Sequence, residues 1–372
     1  MLNVIITPIA YIHSISKINF YQLFPSISYM LFKTAQRLFK RLILRKIIIK
    51  SNIISKRIEI FEGACVISSP SAWSFFSSHF NTTPSQLIQD HSLQVENVRN
   101  TAKTITEEVI IGVGGGRVLD ITKAIAKIGK KKCILIPTIL STTAWLNPGA
   151  SLKDDLKVHH APGKFDEVLI DPELIAQAPE QLNIGGIADI LCGYNSLSDW
   201  ILAREGKGKE LPRNAKGLTL GLCNSIKDNF ESYLPITPAS IEFIAHSFIE
   251  AMRLCWGLRS GRPVEGSEHF LYYALEETYN KPMNHGAIIA LNTLVCIISR
   301  GESALIDPKT LENLYRDIGI SYNLSDQKIP LEIYQKTIRN MKKFVRERNL
   351  DYSIWNTDLN LDKISDLKDL FS

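Results

Sequence analysis

A chain of 372 residues, 45% hydrophobic and 22% charged, is long enough for two domains and has the composition of an ordinary globular protein. Its formal net charge of +5 is unevenly spread: residues 1–57 hold ten Lys and Arg and no acid, which leaves 33 bases against 38 acids in the rest. A mildly acidic body excludes nucleic acid as a partner of the main fold.

The six cysteines (Cys65, Cys133, Cys192, Cys223, Cys255 and Cys296) are scattered and form no C-x-x-C pair. Most sit in apolar runs, which reads as reduced, buried thiols in a cytoplasmic compartment.

Residues 1–45 form a basic extension. Residues 31–50, L-F-K-T-A-Q-R-L-F-K-R-L-I-L-R-K-I-I-I-K, place seven bases among apolar residues at roughly helical spacing. Three readings stay open: a helix in weak contact with an anionic membrane surface, a targeting segment, or a dispensable extension. No uninterrupted apolar run here is long enough to span a bilayer. Folded structure is expected from about Lys46.

From there strands and helices alternate. Residues 64–68 read as a short strand, 71–80 as a helix, 83–91 as a polar stretch, and 98–106 as a second helix. Residues 108–113 are apolar and β-branched, a buried strand that runs into Gly114, Gly115 and Gly116. The helix that follows has Val118, Ile121, Ile125 and Ile128 on one face. Strand, triple glycine and helix start together make a phosphate cradle, because residues without Cβ admit the anion and the first free N–H groups of the helix point at it. Asp120 and Lys123 lie in the first two turns, within reach of a ribose or phosphate. The spacing is not G-x-G-x-x-G, so this is not the usual Rossmann fingerprint. Residues 133–137 are the next strand, 138–151 a loop, and 168–170 a strand closed by Asp171-Pro172. This alternation predicts a parallel sheet with ligands at the strands' C-terminal ends.

Strands are expected to stop near residue 180. Helices are predicted over 186–204, 215–233, 237–256, 266–279, 285–299, 308–318 and 331–349. The expected division is an α/β dinucleotide-binding domain over 46–180 and a helical, metal-binding catalytic domain over 181–372. In the helical part Asp189, His269 and His285 stand out, each in a glycine-containing context read as a helix start. One carboxylate and two imidazoles suit a catalytic zinc or non-haem iron with positions left open for a substrate oxygen. A solvated helix cap is the competing reading for each histidine.

Several motifs occur in one order: G-V-G-G-G-R-V-L-D-I-T-K, I-P-T-x-x-S, D-P-E-L-I-x-x-A-P, G-G-I-A-D-I-L, L-S-D-W-I-L-A, S-G-R-P-V-E-G-S-E-H and H-G. Together with the closing R-E-R-N-L-D-Y-S-I, this series resembles the metal-dependent polyol dehydrogenases. The nearest branch is sn-glycerol-1-phosphate dehydrogenase, within the iron-containing alcohol dehydrogenase and dehydroquinate synthase-like superfamily. The resemblance covers about residues 46–355. It implies an N-terminal Rossmann-like sheet domain followed by a helical one. It further implies Asp189, His269 and His285 as catalytic metal ligands, with zinc favoured and iron or nickel as alternatives. Gly114, Gly115, Gly116, Asp120, Lys123, Thr138 and Ser141 would surround NAD or NADP. The expected partners are a small polyol or polyol phosphate and further copies of the chain in a homo-oligomer.

The sequence departs from the family's pattern around that triad. Thr143 stands where the glycerol-phosphate enzymes carry an aspartate near the substrate, and Trp145 puts a bulky ring where a smaller side chain is expected. Tyr273 replaces a second histidine, and Ala287 the glutamate of H-G-E. Ser68-Ser69 offers no acid for a ribose 2′-OH, so NADP is not strongly excluded. Hydride transfer between nicotinamide and a carbonyl or alcohol is the leading expectation. A sugar-phosphate cyclase of dehydroquinate synthase type is the second, though G-H-x-x-G-H is missing. A catalytically impaired binding protein of the same fold is the third.

Overall fold

The computed structural model describes residues 40, 43–89 and 92–359. The basic extension 1–45 lies outside the described residues for almost its whole length. Among the described residues no helix is long and apolar enough to cross a membrane.

Six strands form a wholly parallel sheet in the order β1-β8-β5-β4-β2-β3. They are β1 (Ile47–Ile49), β2 (Cys65–Ser68), β3 (Gln86–Ile88), β4 (Val109–Gly114), β5 (Lys132–Pro137) and β8 (Glu167–Ile170). The central strands are continuous runs of β-branched and aliphatic residues because both faces are covered. Cys133, Leu135, Val168 and Ile170 join the large core beneath one face. Ile111, Val113, Ile134, Ile136 and Leu169 pack on the other against Phe61 and Phe76. Successive residues thus alternate between two cores.

Between the strands run α1 (Pro70–His79), α2 (Val95–Thr104) and α3 (Gly116–Ile128). Ser69 caps α1 by accepting from the Ala72 N–H at 3.1 Å, with Pro70 at the first helical position. Four strands escape the sequence pattern. β1 and β3 are three-residue edge strands, too short to show a period. The expected loop 138–151 contains a 3-10 turn at Thr143–Trp145 and the start of a hairpin. That hairpin is β6 (Gly149–Asp154) against β7 (Lys157–Pro162), antiparallel and apart from the main sheet.

Beyond β8 the described elements are helical: α4 (Pro172–Ile175), α5 (Glu180–Leu191), α6 (Gly193–Lys207), α7 (Ala215–Asp228), α8 (Pro238–Leu258), α9 (Ser267–Tyr279), α10 (His285–Arg300), α11 (Pro308–Ile318) and α12 (Leu331–Glu347). The helix expected over 186–204 is two helices that meet at Cys192. One core runs from the sheet into α5, α8 and α10 through Leu140, Trp145, Ile187, Phe248 and Leu294. A second joins α9, α10 and α12.

Candidate metal and cofactor site

Asp189 lies near the C-terminal end of α5 rather than at a helix start, which corrects the expectation from the sequence. Gly185 and Gly186 sit inside that helix because neighbours need the space their missing side chains leave. A Cβ on Gly186 would stand 2.0 Å from the Leu140 carbonyl oxygen, and one on Gly286 would stand 2.3 Å from the Gly185 Cα. The first approach seats the loop after β5 on α5; the second presses α10 against it. Asn183 secures the loop, accepting the Leu140 N–H at 2.9 Å and donating to the Ile175 carbonyl at 3.0 Å.

His269 is in the first turn of α9 and His285 opens α10, where Asn284 caps the helix by accepting from the Ala287 N–H at 3.2 Å. The three side chains converge. His269 Nε2 lies 3.2 Å and His285 Nε2 2.9 Å from Asp189 Oδ1. All three donor atoms fall within 4.8 Å of one another. Asp189 and His269 are buried and His285 partly so. Burial pushes the Asp189 carboxyl up, but His285 and His269 together outweigh it and hold the group well below the ordinary carboxylate range. Burial opposes charge on His269 as well; hydrogen bonds to Asp189 and Glu268 overcome it and lift the imidazole to about 10. A carboxylate near a helix C-terminus is unfavourable by itself. Here two imidazoles face it, and a divalent cation would fit the same donors: one carboxylate and two imidazole nitrogens at the edge of a buried cluster.

Cys192, Glu268 and His269 form a second cluster with metal-like spacing. The Cys192 sulfur is 3.1 Å from the Asp189 carbonyl and 3.3 Å from that of Val264. Burial pushes its thiol well above the ordinary range, followed by Glu268 and Asp189. A protonated thiol directed at carbonyls is a poor ligand, so the Asp189 set is the better cation site.

The glycine turn stands at the C-terminal ends of β4 and β5. Gly114 has φ +155°, which a side chain rarely tolerates, and Val118 fills the space a Cβ would need. Thr138 follows β5 and donates its N–H to the Gly114 carbonyl at 3.2 Å; Ser141 is partly exposed in the same loop. This loop also approaches Gly115 through Ile139 and Gly116 through Thr142. One loop therefore touches both the glycine turn and the helix that carries Asp189.

Asp120 and Lys123 take a different part from the one expected. Lys123 is fully buried, and its ammonium donates to the carbonyls of Ala144, Asn147 and Gly149 at 2.7, 2.8 and 2.5 Å. It also pairs with Asp120 at 2.7 Å. With its three N–H bonds directed at this turn, it organises the loop instead of reaching a phosphate. Trp145 is likewise corrected. At 1% exposure its ring packs edge-on against Phe248 at 6.4 Å, so it belongs to the core.

Sequence reasoning missed the residues behind the triad: Asn195, Glu268 and Arg300. The only signal was that Glu268 immediately precedes His269.

A model of the iron-containing alcohol dehydrogenase family matches residues 77–179. The chain is 26% identical over 265 residues to the glycerol-1-phosphate dehydrogenase (NAD(P)+) of Methanobrevibacter smithii, covering 68% of this chain and 76% of that one. It is 27% identical over 245 residues to the enzyme of the same name from Aeropyrum pernix, covering 65% and 68%. The fold is similar to that of a probable glycerol dehydrogenase from Sinorhizobium meliloti 1021, with a TM-score of 0.63 at 18% identity over 86% of this chain and 94% of that one. It is also similar to that of sulfoacetaldehyde reductase from Bifidobacterium kashiwanohense in complex with NAD+, with a TM-score of 0.60 at 15% identity over 88% and 97%.

Proposed function

We propose that this chain, similar to glycerol-1-phosphate dehydrogenases and matched over residues 77–179 by the iron-containing alcohol dehydrogenase model, interconverts a polyol phosphate similar to glycerol 1-phosphate and the corresponding ketone. It is an NAD(P)-dependent oxidoreductase acting on CH–OH groups. The observation that carries the proposal is the convergence of Asp189, His269 and His285 beside the loop that also reaches the glycine turn.

In this reading Asp189, His269 and His285 hold a zinc ion, which when bound supplies Lewis-acid polarisation of the reacting oxygen. The N–H groups at the start of α3 would receive a cofactor pyrophosphate, with Thr138 and Ser141 in the neighbouring loop. Tyr272 stands edge-on to His285 with ring centroids 4.6 Å apart. Thr143 offers a hydroxyl but no carboxylate, so this position would supply no general base for the proton. We assign 46–180 to cofactor binding and 181–372 to the metal and substrate. The six cysteines, all buried and unpaired, support a cytoplasmic location.

One feature favours a catalytically impaired binding protein. Tyr273, where the family carries a histidine, has its hydroxyl committed to Glu265 at 2.7 Å. Reduction of dihydroxyacetone phosphate with NADH and NADPH, measured together with metal content, decides between the two. The expected result is one zinc per chain and measurable turnover, both lost together in His269→Ala. Wild-type protein prepared without chelators and found metal-free would overturn the assignment of the triad. Metal and cofactor binding with no turnover on any polyol phosphate would establish the impaired reading.

A further inference from the structure

We infer that Glu268 is a positioning residue for the metal centre. Its Oε1 engages His269 Nδ1, which turns Nε2 toward Asp189, and it is itself held from behind by Asn195, Arg300 and Asp199. The inference rests on the reading of Asp189, His269 and His285 as the metal set.

The geometry runs outward from the histidine. His269 Nδ1 lies 2.8 Å from Glu268 Oε1. That bond occupies Nδ1, so Nε2, which is directed at Asp189, is the nitrogen that would ligate a metal. Glu268 has no exposed surface, and it has little freedom to turn. Its Oε1 also accepts the Gly266 N–H at 2.7 Å, and its Oε2 accepts from Asn195 Nδ2. The Asn195 amide is oriented in its turn: its Oδ1 accepts from Arg300 Nε at 2.8 Å, which leaves the NH2 to face Glu268. Arg300 is anchored by an ion pair to Asp199. Asp199 accepts the backbone N–H of Ser267 at 2.7 Å and that of Ile354 at 2.8 Å.

The motifs D-W-I-L-A, G-S-E-H and the closing D-Y-S-I therefore meet behind His269, through Asp199, Glu268 and Ile354. Two carboxylates and a guanidinium this deeply buried are a poor way to add stability. Orientation of a metal-binding imidazole is a use that their geometry serves. The Cys192, Glu268 and His269 cluster then needs no ion of its own, because Glu268 and His269 are joined by the bond that aims His269 at Asp189.

The test is Glu268→Gln, which keeps the shape but turns one acceptor into a donor. Zinc affinity is measured by competition with a chromophoric chelator, and the cobalt-substituted proteins are compared by visible absorption. Glu268→Gln should bind zinc about 10- to 100-fold more weakly than wild type and show a shifted cobalt band. Glu277→Gln lies on the same helix and removes an ion pair to Arg348 instead; it should leave zinc affinity unchanged. Should Glu268→Gln not fold, long-range 15N–1H histidine correlations on zinc-loaded wild type answer the question, with His269 expected to be protonated at Nδ1 and ligated through Nε2. Zinc affinity of folded Glu268→Gln within twofold of wild type, or ligation through Nδ1, would overturn the inference. Wild type that binds no zinc would instead remove the metal reading, and this inference with it.

Discussion

Residues 143 and 145 are neighbours in sequence but have different surroundings. Thr143 is partly exposed, whereas Trp145 is buried against Phe248. Trp145→Ala should therefore act on stability, costing about 3–5 kcal/mol as for other large-to-small aromatic changes in a core. Thr143→Asp, which supplies the carboxylate the family carries, should act on kcat/KM for dihydroxyacetone phosphate with little change in melting temperature. Thermal denaturation and steady-state rates on both variants check the division. A Trp145→Ala protein of wild-type stability with altered substrate preference would return that ring to the substrate pocket.

Between elements, the closest approach at the site is the crossing of α5 and α10. A methyl group on Gly286 would meet the Gly185 Cα at 2.3 Å, so Gly286→Ala must separate the helices that carry Asp189 and His285. Overpacking of this kind costs about 1–3 kcal/mol, and metal affinity should fall with it. Gly217 in α7 has nothing within 4 Å of a Cβ, so Gly217→Ala should stabilise by up to about 1 kcal/mol through helix propensity. Paired denaturant titrations measure both signs. A second contact joins β8 to the turn at Ser55–Phe61: Arg57 donates to Glu167 at 2.5 Å. Burial raises the Glu167 carboxyl, but Arg57 and Lys132 outweigh it and lower it overall. A group lowered in the folded state contributes stability above its unfolded value and loses it as pH falls through its folded one. Glu167→Gln should thus cost up to about 1 kcal/mol at neutral pH, because the pair is partly solvated, and less at acid pH below the ordinary carboxylate range. An equal cost at both pH values would show that the charge is not the source.

Across the whole molecule, the loop after β5 joins the glycine turn to the helix that carries Asp189. Gly115→Val would press on Ile139 in that loop and block the approach of phosphate to the turn. It should weaken NAD(P)H binding by tenfold or more, about 1.4 kcal/mol, and leave zinc content near wild type. Fluorescence titration with NADH and NADPH reads the first effect; unchanged affinity would remove the glycine turn from the cofactor site. The wild-type titration carries a second expectation. Ser69 caps α1 and Ser68 donates to the Val113 carbonyl at 2.7 Å, so neither brings negative charge to the end of β2. NADH should be preferred over NADPH by less than about a hundredfold.

Local pattern by itself determined the parallel sheet and its helices and the glycine turn, and it singled out Asp189, His269 and His285 only as candidates. Buried strands, amphipathic helices and triple glycines declare themselves within a few residues. Tertiary structure alone decided the rest. β1 and β3 are three residues each and exist as strands only through their partners, Ile47 beside Val168 and Cys65 beside Gln86. The β6–β7 hairpin packs on α3, and its lysine-bearing polar pattern reads as a loop. Lys123 had the right place for a phosphate ligand, yet three loop carbonyls surround its ammonium once the chain is folded. Orientation of His269 depends on Asn195 meeting Arg300 across 105 residues and Asp199 meeting Ile354 across 155. No local period encodes such contacts, because their energy arises only when distant segments exclude water from the same few polar atoms.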